Sequence, residues 1–262
     1  MIVPPGQSLL RKAALAFLLG LLATNGAAAL PSSSFMPIGA PMFAPKGYVQ
    51  FCVRRPDQCD LPLSSTPDER SLEKAIYRLQ WRYLLPLQPN ALGEPEENGA
   101  PALSPDQDPA LPPPTSAAAP EAISLDEGDW SELNRINRSI NARIRPMNDQ
   151  QAFGVEDYWT LPLSEGPRAV GNCKHYVLEK RKALVEAGVP SNALSIAIVR
   201  TPWGETHAVL IIATDRGDLV LDNLAPAIKG WRDVDYVWLS RQVPGHSLAW
   251  AAVASPVRLL RY

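Results

Sequence analysis

Three residues have the types and the chain order of a catalytic triad built on cysteine: Cys173, His207 and Asp222. A thiolate is a nucleophile, an imidazole activates it as a base, and a carboxylate holds that imidazole in the required tautomer. Such a set can attack a carbonyl carbon and form a thioester. Each residue alone has a commoner structural interpretation, as a buried thiol, a structural histidine or a turn-forming aspartate. The hypothesis therefore depends on the combination.

The cysteine lies where a helix is predicted to begin. Apolar residues recur at helical spacing after Cys173, and Gly188 followed closely by Pro190 is typical of a helix end. Free amide groups and the helix dipole at such an N-terminus favour a thiolate over a thiol. The backbone amide of Cys173 is also the natural donor to an oxyanion that forms during attack.

The histidine and the aspartate lie on two successive predicted strands. Apolar residues alternate along both segments and along one earlier segment, with turn signals between them. A hairpin centred between Thr214 and Asp215 would place His207 directly opposite Asp222. We therefore predict an α+β fold in which the nucleophile heads a helix packed on an antiparallel sheet.

Two further helices are predicted, and two other histidines must be considered as the catalytic base. Helical spacing predicts one helix over residues 68–85 and another that begins after Ser124 or Asp126 and ends near Pro146. His175 follows the cysteine by two positions, which points it to a different helix face. His246 lies in a turn-like setting, for which a structural or solvated role is expected.

The N-terminus has the order of a secretory signal peptide. Arg11 and Lys12 precede an apolar stretch at residues 13–23 and small residues at 26–29. The stretch is shorter than the roughly 20 residues that a membrane-spanning helix needs. We expect export to the periplasm and no stable membrane insertion after cleavage; an uncleaved anchor is the alternative.

Export gives the three cysteines different roles. Cys52 and Cys59 bracket a turn-like segment, and an oxidising compartment pairs cysteines that are within reach of each other. We predict a disulfide between them. Cys173 then remains unpaired, and an odd cysteine in an exported protein is either an intermolecular bridge or a reactive thiol.

Composition divides the chain and excludes one class of partner. The 27 prolines of the 262 residues are about twice average usage. Many of them lie in a segment without apolar periodicity. We predict a signal peptide at 1–29, an N-terminal segment at 30–85, a flexible Pro/Ala-rich insertion at 86–123 and a catalytic core at 124–262. The net charge of −2 offers no basic surface, so nucleic acid is not expected as a partner.

Four segments resemble the bacterial transglutaminase-like cysteine peptidases over residues 133–250. They are Asp157-Tyr158-Trp159, Gly171-Asn172-Cys173-Lys174-His175-Tyr176, Thr206-His207-Ala208-Val209-Leu210 and Val220-Leu221-Asp222-Asn223. The resemblance implies a papain-like, transglutaminase-like core. It also implies a nucleophile at Cys173, a general base at His207, an orienting acid at Asp222 and a protein substrate. In the best understood branch of the family, that substrate is a cell-surface adhesin cleaved in the periplasm.

The resemblance also raises the question of calcium. In that branch, acidic residues flank the cysteine and help to hold a calcium ion, whereas this chain has Asn172 and Lys174. A protonated lysine has no lone pair to give, and calcium needs several oxygen ligands. We therefore expect no cofactor or metal, although Asp157, Glu165 and Glu156 could still supply oxygens.

Two other functions are compatible with the same residues. The triad could pass the acyl group to an amine, which would make the protein a transglutaminase or an amidase. Alternatively, the altered residues beside the cysteine could mark a binding module that has kept the fold and lost its activity. The presence of all three triad residues favours an exported cysteine peptidase that cleaves a protein substrate.

Overall fold

The computed structural model describes residues 34–61, 69–84, 122–165 and 169–254. The predicted signal peptide lies outside the described residues, as does the predicted insertion apart from its last two residues. Within the ranges given, no helix is both long enough and apolar enough to cross a bilayer.

The described chain forms nine strands, most of which join one sheet. Their bounds are β1 Ile38–Met42, β2 Arg145–Pro146, β3 Val170–Gly171, β4 Leu194–Arg200, β5 Thr206–Thr214, β6 Gly217–Leu221, β7 Lys229–Gly230, β8 Val237–Val243 and β9 His246–Val253. Seven strands form a sheet in the order β1-β9-β8-β4-β5-β6-β7, and each neighbouring pair is antiparallel. The short strands β2 and β3 pair in parallel beside it.

Five α-helices are described: α1 Lys46–Arg54, α2 Glu69–Leu84, α3 Glu127–Arg143, α4 Asp149–Phe153 and α5 Cys173–Glu186. Helix α5 packs against β5 and against α3, so the helix that begins at the cysteine lies on the strand that carries the histidine. Both sheet faces are covered, because alternate residues of β4, β5 and β6 enter two separate apolar clusters. The predicted α+β fold is confirmed.

The helix ends follow from local sequence. Asp126, rather than Ser124, caps α3: its side chain accepts a hydrogen bond from the backbone of Asp129, whose carboxylate accepts one from the backbone of Asp126. Helix α5 ends two residues before Gly188, which has a positive φ of 95° that other residues adopt rarely. The helix predicted over 68–85 corresponds to α2.

The hairpin of β5 and β6 turns one residue later than predicted. Thr214 pairs with Gly217, which places the centre of the turn between Asp215 and Arg216. The Thr214 hydroxyl donates to the carbonyl of Gly217 at 2.7 Å and accepts from the backbone N–H of Arg216 at 3.1 Å. Gly217 supplies the positive φ of 95° at the start of β6.

This later turn changes the register of the two site residues. The prediction that His207 lies directly opposite Asp222 is wrong, because moving the turn by one residue moves each cross-strand partner by two. An even shift keeps every side chain on its original face of the sheet. His207 and Asp222 therefore still meet, with Asp222 directly after the last residue of β6.

The N-terminal segment pairs with this sheet and contacts α5. Strand β1 pairs with β9 at the sheet edge, and the predicted disulfide between Cys52 and Cys59 is present. Arg181 of α5 donates to the carbonyl of Gln58 at 3.0 Å and to a carboxylate oxygen of Asp60 at 2.8 Å. The segment that contains the disulfide therefore contacts the helix that begins at Cys173.

Candidate active site

Cys173 is the first residue of α5 and is the free cysteine of the chain. The residue is half-buried and lines an open cleft, as the position of a nucleophile requires. The first amides of an α-helix have no partner within the helix, so the backbone there can stabilise negative charge. The chain reaches this position through β3, whose pairing with β2 fixes the approach to the helix.

His175 caps the start of this helix and is not a second base. The backbone N–H of Asn172 donates to His175 Nδ1 at 3.0 Å, and the ring is fully buried. Burial, with the positive charge of Lys174 adding to it, lowers the pKa of His175 to about 4. A side chain on Gly171 would place its Cβ 2.6 Å from the ring, so the glycine two residues before Cys173 makes room for this cap.

His207 joins the thiol to the carboxylate. Its Nε2 donates to Asp222 Oδ1 at 2.8 Å, and both side chains are almost completely buried. Cys173 also acts on the ring, and both residues line the same cleft. Because Nε2 is engaged by Asp222, the nitrogen left for the thiol is Nδ1. His207 thus links the residue that begins α5 to the residue that follows β6.

The electrostatics of the pair favour the charged forms of both partners. Burial opposes protonation of His207, but the hydrogen bonds to Asp222 and Cys173 outweigh it and raise the pKa of His207 to about 9. Burial likewise opposes ionisation of Asp222, yet the contact with His207 holds the pKa of this carboxyl below its ordinary value. At neutral pH the site therefore holds an imidazolium against a carboxylate.

Asp222 has further partners that the sequence did not predict. The hydroxyl of Tyr236 donates to Oδ2 at 2.5 Å, and the backbone N–H of Leu224 donates to Oδ1 at 2.9 Å. Asn141 of α3 donates to the backbone carbonyl of Asp222 at 2.8 Å. Asn137, one helical turn earlier, donates to the carbonyl of Pro226 at 3.3 Å. In the sequence, two asparagines one helical turn apart lie on the side of α3 that faces the core. This pattern could have indicated that α3 donates hydrogen bonds to a neighbouring loop.

A buried lysine lies behind the site on the same helix. The side chain of Lys180 is fully buried, and within the described residues its ammonium nitrogen has no hydrogen-bond partner. Burial lowers the pKa of Lys180 to about 7, while the charge of Asp222 acts in the opposite direction. Asp222 is thus the carboxylate whose charge acts on both His207 and Lys180.

Cys173 and His207 open into a cleft of about 730 Å³. Its walls combine apolar side chains, which include Trp159, Tyr176, Ile198 and Leu224, with the acidic side chains of Asp157 and Glu205. Trp159 is buried, and its ring meets Tyr48 of α1 at a centroid distance of 5.3 Å. A cleft of mixed lining that is open to solvent can admit an extended peptide.

The residues beside the cysteine do not fit a calcium ion. The ammonium nitrogen of Lys174 lies 2.6 Å from Asp149 Oδ2 and 3.5 Å from Asp157 Oδ1, where it repels a metal cation and offers no lone pair. Glu165, another of the predicted oxygen donors, forms an ion pair with Arg55 and accepts from the Thr160 hydroxyl at 2.7 Å.

The chain is similar to proteins of one known family. A family model described as bacterial transglutaminase-like cysteine proteinase matches residues 114–257, which is more than half of the chain. The solved structure of calcium-bound LapG from Legionella pneumophila is 24% identical, covers 43% of this chain and 64% of its own, and has a TM-score of 0.38. The EGTA-treated form is 25% identical, with coverages of 43% and 62% and a TM-score of 0.38. This chain therefore spans less than two thirds of those structures, and no curated protein matches it.

The imidazole of His207 should titrate far from its ordinary range. We expect a midpoint near pH 9 in a histidine NMR titration, and a fall of about one unit or more in Asp222→Asn, because the carboxylate stabilises the imidazolium. The histidine resonance that is missing from the spectrum of His207→Gln is assigned to His207. A wild-type midpoint near the ordinary value for histidine, unchanged in Asp222→Asn, would contradict the described hydrogen bonds.

Proposed function

Because the chain belongs to the bacterial transglutaminase-like cysteine proteinase family, we propose that it hydrolyses a peptide bond of a protein substrate with Cys173, His207 and Asp222. The observation that carries this proposal is the position of His207. His207 is hydrogen-bonded to a buried carboxylate, and it lines the same open cleft as the free cysteine that begins α5 and acts on its pKa.

The proposed reaction begins with attack of the Cys173 thiolate on the carbonyl carbon of the peptide bond. The new C–S bond forms as the carbonyl electrons move onto oxygen, where the backbone amide at the start of α5 can donate a hydrogen bond. When the C–N bond breaks, His207 gives its proton to the leaving amine, and a thioester remains on Cys173.

Water completes the cycle. His207 is now neutral and removes a proton from a water molecule, whose oxygen attacks the thioester carbonyl. Breakage of the C–S bond releases the carboxylic acid product and restores the Cys173 thiolate beside the protonated His207. Throughout both steps, Asp222 keeps the ring oriented and stabilises its protonated form, while Tyr236 and the Leu224 amide hold the carboxylate in place.

We also propose that this reaction takes place outside the cytoplasm, on a protein such as one of the cell surface. The order of charged, apolar and small residues at positions 11–29 supports export. The disulfide between Cys52 and Cys59 supports it as well, because such bonds persist in oxidising compartments.

The peptidase proposal is tested by intact-mass analysis after an irreversible thiol-directed inhibitor. We expect one adduct on Cys173, none in Cys173→Ala, and labelling in His207→Ala slowed by about a hundredfold, since a general base contributes 10²–10⁴-fold. His246→Ala, a substitution of the histidine in the β8–β9 hairpin, is the matched control and should label at the wild-type rate.

The same proteins are then incubated with a peptide library, and new N-termini are counted. Cleavage that requires Cys173 supports hydrolysis, whereas incorporation of an added amine without new N-termini would assign the site to acyl transfer. Failure of the wild-type protein to form any adduct, with or without mild reduction, would contradict a catalytic role and favour an inactive binding module.

The export proposal predicts the N-terminus of the mature protein. Mass analysis of a periplasmic fraction should find a chain that begins after Ala29. Leu18→Arg, within the apolar stretch, should leave the full-length chain in the cytoplasm, whereas Leu103→Arg should be exported normally. A wild-type chain that keeps residue 1 and remains in the cytoplasm would overturn this proposal.

A further inference from the structure

One buried carboxylate contacts both neighbours of the nucleophile. Asp149 Oδ1 accepts a hydrogen bond from Asn172 Nδ2 at 2.6 Å, and Asp149 Oδ2 lies 2.6 Å from the ammonium nitrogen of Lys174. The backbone N–H of Tyr158 donates to the same Oδ2 at 2.7 Å. The Asp149 side chain is 1% exposed and that of Lys174 is 11% exposed. The ion pair is therefore largely removed from water.

Lys174 also reaches the wall of the cleft. Its ammonium nitrogen lies 3.5 Å from Asp157 Oδ1, and Asp157 Oδ2 accepts the backbone N–H of Gly47 at the start of α1, at 3.1 Å. The indole N–H of Trp159 donates to Asp157 Oδ1 at 3.0 Å. One positive charge on α5 thus connects α4, the loop after α4 and, through Asp157, α1.

We propose that the ammonium group of Lys174 is a built-in cation that positions Cys173 by holding Asp149 and Asp157 against the first turn of α5. With the second hydrogen bond of Asp149, to Asn172, it fixes the chain on both sides of the nucleophile. Lys174 and Asp149 are positioning residues and do not contact the reacting atoms. The inference rests on the proposed function, because it assigns their role to the reactivity of Cys173.

The argument for a cation is electrostatic. A carboxylate as buried as that of Asp149 needs a nearby positive charge and hydrogen bonds, and loss of one partner leaves an uncompensated charge in a medium of low polarity. A metal ion could supply that charge in principle, but the ammonium already lies against both carboxylates. A positive side chain beside the cysteine also favours the thiolate. The chain should therefore be stable and reactive without calcium.

The test compares Lys174→Met with Lys174→Arg in the full mature chain. The methionine variant keeps the apolar part of the side chain, leaves Asp149 uncompensated, and should melt roughly 10 °C lower. Its rate of Cys173 alkylation by iodoacetamide at neutral pH should fall about tenfold, because a positive charge beside the thiol promotes its reaction. The arginine variant keeps the charge and should retain most of both properties.

Two further variants separate the charge pair from general damage. Lys174→Met combined with Asp149→Asn removes both charges and should regain part of the lost melting temperature, because no buried charge is left alone. Lys182→Met breaks an ion pair with Glu186 on the exposed side of the same helix, and it should shift the melting temperature by less than about 3 °C.

Adding or removing calcium tests the inference independently of the variants. Neither calcium chloride nor EGTA should change the melting temperature of the wild-type chain or its alkylation rate. A rise with calcium, or a Lys174→Met protein that matches wild type in melting temperature and rate, would overturn the inference. A wild-type Cys173 no more reactive than an unstructured thiol would instead contradict the proposed function, and the melting and calcium measurements would still test Lys174.

Discussion

The buried carboxylate of Asp222 is the constraint on which the rest of the site depends. An ionised carboxylate that is almost completely buried is costly unless it is paired and hydrogen-bonded. His207 and the Leu224 amide meet this requirement at Oδ1, and Tyr236 meets it at Oδ2. The charge that stabilises the folded chain is also the charge that raises the pKa of His207. In this account, stability and the protonation state needed for the proposed reaction have the same origin.

The secondary structure brings residues that are distant in the chain to this carboxylate. Helix α5 packs on β5, so the residue that begins the helix lies beside a residue near the start of the strand. The β5–β6 hairpin returns the chain to that edge of the sheet, and α3 holds the loop after β6 through Asn141. On the other side of Cys173, Asp149 and Lys174 hold the loop that leads to Trp159. The proposed nucleophile therefore lies between two buried carboxylates, each with its own cationic partner.

Local patterns predicted the helix that begins at Cys173, the strands of His207 and Asp222 and the membership of the family, because each has a short-range signal. The exact turn was not predictable, since the position of Gly217 allowed more than one centre for the hairpin. The error did not change which face of the sheet each side chain lies on, because side chains alternate between the faces with a period of two residues. Partners such as Tyr236 and Asp149 were missed, because their contacts come from tertiary packing and no periodic pattern marks them.

The central claim is that the buried carboxylate of Asp222 activates Cys173 through His207. The most direct measurement is the rate at which iodoacetamide alkylates Cys173 at neutral pH in the wild-type chain, in Asp222→Asn, in His207→Gln and in the double variant. The account predicts that Asp222→Asn slows alkylation by about tenfold or more when His207 is present, and has little further effect in His207→Gln. A wild-type rate in Asp222→Asn, or an equal loss with and without His207, would contradict the account.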